Sequence, residues 1–404
     1  MPRNNIDPKK IVRCADPKRV RAAAGNLSPM GSPTATLLGN TQSKFDTELA
    51  ADQIIHLAEG WRYLASALYA FANHSEGAAT HQAYYAELRA ALSLFSGHGI
   101  KINNNKNAYL NSSGKRIGFP GLTHTIVWDL WNEWVRLPAA EDLLNKNIKL
   151  TPGVTLDSLR PFLGGAVAAQ ALEKWGYDLL KLTDDHNARN EKSYQPYWES
   201  KPLTLMAPQK VGFIKALWDL MLPTTETELQ FDAGYIKYLI TKLQSELHRG
   251  DAQASEAWLK KVIADVSGDC GIEEESLSHS ISQATSDFQI FEYAGAPEVE
   301  AENVISRAFF LLRIATLSAQ NNFHLPNGAM SPCAKWLENW LGHAGLWRKT
   351  DGISRYDAAE DYRIAVSILA PTAPLPETIW NESNAFCAAK LSRADACLIW
   401  GASY

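Results

Sequence analysis

No apolar run in this 404-residue chain reaches the roughly 20 residues that a membrane-spanning helix requires. The opening stretch "MPRNNIDPKKIVRCADPKRVR" lacks the apolar segment of a secretion signal. A cytoplasmic location with no membrane partner is therefore expected. Cysteine is sparse: five residues, Cys14, Cys270, Cys333, Cys387 and Cys397, stand far apart, and no CxxC pair occurs. Such spacing supports neither a disulfide framework nor a zinc ribbon. The sequence has no GxxxxGK[ST] loop and no GxGxxG turn, so nothing points to ATP or a dinucleotide. HExxH and GxSxG are missing too. Neither a cofactor nor a metal is expected.

What is present reads as an ordinary folded protein. Hydrophobic residues make up 46% and charged residues 21%, close to the globular average. A chain of this length is large for one core, so two helical lobes are expected. Tryptophan is abundant, at thirteen residues. These indoles suit core packing first and partner interfaces second.

Apolar residues recur at three- and four-residue steps along most of the chain. Leu49, Ile54, Leu57, Trp61, Leu64, Leu68 and Phe71 mark one amphipathic helix, and Tyr84, Leu88, Leu92 and Phe95 mark a second. Between Ile100 and Gly121 the period changes to alternation around Asn- and Gly-rich turns, the pattern of a small β-hairpin or flap. Helical spacing returns at Thr123 and continues, with breaks, to Trp400. The expected fold is mainly α and two-lobed, with a flap near residues 100–120. Residues 1–44 form a basic arm and linker, 45–205 the first lobe and 206–404 the second. The boundary rests on the two prolines within Glu199–Pro208.

Candidate chemistry is thin. "HLAE" places His56 and Glu59 on one helix face, but one pair falls short of the three or four ligands of a metal site. The carboxylate pairs Asp184/Asp185 and Glu360/Asp361 read as polar helix faces or ends. His98, His124 and Asp129 flank the flap, where a cleft beneath it would bring them together.

The basic residues are unevenly placed. Lys9, Lys10, Arg13, Lys18, Arg19 and Arg21 crowd the first 21 positions, and "DPKKIVR" is echoed nine residues later by "DPKRVR". Lys101, Lys106, Lys115 and Arg116 mark the flap. Together they are candidate contacts for nucleic acid or an acidic partner, provided that folding gathers them on one face. The arm itself reads as a solvated leader whose removal spares the helical body.

"HQAYYAELRAALSLFSGHGI" (His81–Ile100), followed about ninety residues later by "HNARNEKSYQP", resembles HEPN-like helical proteins, many of them from anti-phage and toxin–antitoxin loci. The resemblance spans roughly residues 46–200. It implies a role beside other protein subunits, such as an ATPase or a nuclease, in a defence-type complex. In ribonucleases of that family an R-N-x-x-x-H motif cleaves RNA across a dimer. Here Arg189 and Asn190 match, but Tyr194 stands where the histidine belongs, and His186 precedes the arginine. A phenol near pKa ~10 is a poor proton shuttle at neutral pH. A non-catalytic scaffold or regulatory subunit is therefore expected first. A dimeric HEPN-type ribonuclease using Arg189, Asn190, Tyr194 or His186, and a nucleic-acid-binding module, are the alternatives.

Overall fold

The structure, a computed structural model, describes residues 7–24, 45–104, 106–162, 185, 208–223, 229–282, 288–323, 332–348, 352, 354–369 and 388–401. Among these the chain is mainly helical, with two small antiparallel sheets.

The N-terminal echo is a helix-start signal used twice. Helix α1 (Pro8–Cys14) has Asp7 as its cap, whose carboxylate accepts the Lys10 N–H at 3.2 Å, with proline in its first turn. Helix α2 (Pro17–Ala24) repeats this with Asp16, which accepts the Lys18 N–H at 3.0 Å. A side-chain acceptor with proline behind it starts a helix by satisfying a free N–H and pre-setting φ. The segment is not a solvated leader. Ile11, Val12, Val20 and Ala24 are buried, and α2 packs on the long helix α3 (Phe45–Ala72).

Helices α3 and α4 (Glu76–Gly97) form the most extensive packed pair. After α4 comes the flap, with strands β1 (Ile100–Lys101), β2 (Asn107–Leu110) and β3 (Arg116–Phe119) in that order. It is a three-stranded meander rather than a single hairpin. Buried Asn107 secures one end: its Oδ1 accepts the Asn103 N–H at 2.9 Å, and its Nδ2 donates to the Gly121 carbonyl at 2.8 Å. Asn111 secures the other end, where its Oδ1 accepts the Lys115 N–H at 2.8 Å.

The Trp-rich helix α5 (Thr123–Trp134) comes next. Helix α6 (Pro138–Asn147) follows, then a short hairpin of β4 (Lys149–Thr151) and β5 (Val154–Thr155). The later helices are α7 (Pro208–Met221), α8 (Gln230–Leu247), α9 (Ala252–Cys270), α10 (Glu274–Ser282), α11 (Gln289–Gly295), α12 (Ala301–Phe323), α13 (Pro332–His343), α14 (Arg355–Leu369) and α15 (Cys397–Gly401). A 3-10 turn at Ala394–Ala396 leads directly into α15.

Helix α12 is buried along nearly its whole length and lies against both α3 and α4. One continuous core therefore crosses the division expected near residue 205. Gly60 permits the close approach: a Cβ there would stand 2.7 Å from Leu312 Cδ2 and 3.3 Å from Arg89 Cβ. The indoles serve this core. Trp61, Trp128, Trp131, Trp134, Trp218, Trp336, Trp347 and Trp400 are buried, and Trp258 and Trp340 half-buried. Several carry internal bonds: Trp61 Nε1 donates to Thr316 Oγ1 at 3.2 Å and Trp400 Nε1 to the Met221 carbonyl at 2.7 Å.

Candidate functional site

Two features sit at opposite ends of the flap. The first is a basic face around the β2–β3 turn. The extended residues between α1 and α2 pair with the flap, through an Ala15–Asn111 bridge and an Asp16 N–H bond of 2.9 Å to the Leu110 carbonyl. This docking sets Arg13 and Lys18 around one hollow beside Asn111 and Ser112. Arg19 Nη2 donates to the Ser112 carbonyl at 3.2 Å and its guanidinium reaches the turn glycine, Gly114. Lys115 and Arg116 are the next residues of that turn, and Arg116 lies over the Phe45 ring at 4.8 Å. Arg13, Lys18, Arg19, Lys115 and Arg116 are all exposed, and Asp16 is the acid among them.

Lys9, Lys10 and Arg21 are exposed on the same two helices, and Lys106 lies at the far end of the flap. Lys101 belongs elsewhere. Its Nζ pairs with Asp52 at 2.8 Å and Glu48 at 3.6 Å.

The second feature is a cleft of about 730 Å³ where α3, α4, the β1–β2 turn and the start of α5 meet. His56, Arg89, Lys101 and His124 all line it. Packing of α3 on α4 brings Arg89 Nη1 to within 3.0 Å of His56 Nδ1 and 3.0 Å of Glu59. Burial opposes ionisation of Glu59, but its hydrogen bond with His56 and the Arg89 charge outweigh this, and its carboxyl stays below the usual range. Across the cleft, Tyr84 shares a hydrogen bond of 2.8 Å with His124 Nδ1. The "HLAE" pair is thus part of a three-residue cluster with Arg89.

Of the other flap-flanking residues, His98 serves packing. Its Nε2 meets the Val12 carbonyl at 3.2 Å, and burial keeps the imidazole below its ordinary pKa despite that bond. Asp129 lies farther along α5, its carboxyl raised by partial burial. Among the described residues no three His, Cys, Asp or Glu side chains gather as a metal-holding group. No described helix is long and apolar enough to cross a membrane.

Arg189, Asn190, Tyr194 and His186 lie outside the described residues. Their neighbour Asp185 is described, and it is no surface acid. It is fully buried, and Arg307 Nε and Nη2 each donate to it at 2.6 Å. Glu360, by contrast, is exposed and paired with Arg363.

Arg89, Tyr84 and Tyr85 escaped the sequence reading as site residues. The available signal was an arginine inside an apolar run, "AYYAELRAALS", on the buried side of α4. No family model matches the chain, and no curated protein or solved structure matches it significantly.

Proposed function

We propose that this chain is a non-catalytic nucleic-acid-binding subunit that holds a phosphate backbone on the basic face of the flap. One observation carries this: folding α1 and α2 onto the β2–β3 turn sets Arg13 and Lys18 around one hollow beside Asp16, with Arg19 held on the Ser112 carbonyl of the same turn. Charges spaced within a Debye length of about 10 Å act together on a polyanion. Such contacts bind without reading sequence. Membership of a defence-type complex, with an ATPase or nuclease as partner, rests on the HEPN resemblance alone.

Anisotropy of a labelled single-stranded oligonucleotide across a salt series tests the proposal. Log affinity should fall linearly with log salt, each phosphate contact adding about 0.7 to the slope. The double variant Arg13→Glu, Lys18→Glu should flatten that slope by more than one unit. Absence of binding at about 50 mM salt, or a slope unchanged in the variant, would end it.

A further inference from the structure

The cleft beneath the flap differs chemically from the basic face. Both of its cations are already matched, Lys101 by Asp52 and Glu48, and Arg89 by Glu59. Two cations facing three carboxylates offer no net positive potential to a phosphate or carboxylate ligand. The ligand that suits it is uncharged.

Its walls narrow the choice further. Leu88 and Leu92 are buried there, and Leu122 leaves 61% of its surface exposed, so a flat apolar face gains by covering them. Tyr85 and His124 set their rings 6.1 Å apart at 85°, an aromatic corner. Both rings are held in advance: Tyr63 stacks on Tyr85 at 5.4 Å, and Tyr84 bonds to His124. Groups fixed before binding lose little entropy on it. Polar atoms for a ring edge come from Asn103 and Asn104 on the flap turn and from Thr125. Arg89 adds a buried Nε that has no acceptor among the described residues. The backbone at Asn104 is strained, with φ of 33°, and its N–H is held by Thr123 Oγ1 at 3.1 Å. Held strain of this kind fits a ligand clamp.

We propose that this cleft is a nucleobase site. A planar, uncharged heterocycle stacks in the corner of Tyr85 and His124, and the amides of the flap turn meet its edge. Side-chain amides suit paired donors and acceptors on a base. At about 730 Å³ the cleft falls within the range of small-ligand pockets, large enough for a whole nucleoside. The base comes either from a free nucleoside or from an unstacked position in a single strand. The proposal stands on the cleft and does not depend on the basic face.

Calorimetric titration of the full chain with adenosine, guanosine, cytidine and uridine is the first arm of the test. At least one should bind, Tyr85→Ala should weaken it about tenfold, and Tyr85→Phe should retain it. Because Tyr85 packs in an aromatic cluster, Leu122→Glu is the second variant. It lies on an exposed side chain and should lower affinity with unchanged melting. The second arm compares single-stranded oligonucleotides with and without one abasic position. Affinity lost at the abasic position assigns the base to a strand, whereas nucleoside binding with indifference to that position assigns a free nucleoside. If no nucleoside binds and the abasic position has no effect, the proposal is overturned. Arg13→Glu, Lys18→Glu keeps the two proposals apart, since it should weaken strand binding on the basic face and flatten its salt slope but leave the nucleoside titration unchanged.

Discussion

Arg313 Nε donates to Asp232 Oδ1 at 2.9 Å, with both side chains completely removed from solvent between α12 and α8. Desolvating such a pair is costly, and its mutual attraction roughly offsets that cost. Removing one partner is different, because it leaves a buried charge alone. Asp232→Ala should therefore lose about 3–5 kcal/mol in urea unfolding. Asp232→Leu combined with Arg313→Met should recover most of that loss. Equal losses in the single and double variants would show that the pair itself, rather than the orphaned charge, carries the stability.

A second buried cluster makes a pH prediction. Glu87 is fully buried on α4 beside the Asp185–Arg307 pair. Burial first, then the negative charge of Asp185, push its carboxyl well above the usual range, with Arg307 opposing in part. The folded protein therefore keeps a proton that the unfolded chain releases near pH 4.3. The stability from this group is fully present below that pH and is lost as pH rises through the folded-state value. Glu87→Gln carries a neutral amide and needs no proton. Its unfolding free energy should gain on wild type as pH is raised from about 5 to about 8. A constant difference across that range would mean that Glu87 does not titrate with folding.

The helices of the core were legible because burial on one face imposes a 3.6-residue period. The flap was legible because Asn107, Asn111 and Gly114 are residues that its turns require. Helix α6 starts at Pro138, where proline sits in the first helical turn, a start signal as much as a stop. The N-terminal echo was counted as charge when each Asp-Pro was a cap followed by its first turn. A cleft beneath the flap was anticipated, and His124 lines it, but its His56–Arg89 wall was beyond reach. His56 and Arg89 stand 33 residues apart, and only the packing of α3 on α4 puts them in contact. Spacing along one chain carries no record of which helices become neighbours.

The N-terminal helices supply the last prediction, and it reverses what their charge alone implies. Their cations face solvent, but Ile11, Val12 and Val20 are 5%, 1% and 0% exposed. Each such side chain contributes roughly 1.5–3 kcal/mol on burial. Removing residues 1–24 should also uncover the apolar surface of α3 and α5 on which α2 and α1 pack. In a protein of this size the combined loss should lower the melting midpoint by roughly 5–10 °C. Replacing Lys9, Lys10, Arg13, Lys18 and Arg21 by glutamine keeps the apolar contacts and the Arg19 bond to the Ser112 carbonyl, and removes only exposed charge. That variant should melt within a degree or two of wild type, since surface substitutions usually cost within about 0.5 kcal/mol. It should also have lost most of its affinity for a single-stranded oligonucleotide. If instead the deletion melts like wild type, the two helices are not part of the core. If the glutamine variant binds the oligonucleotide unchanged, the basic face has no role in binding.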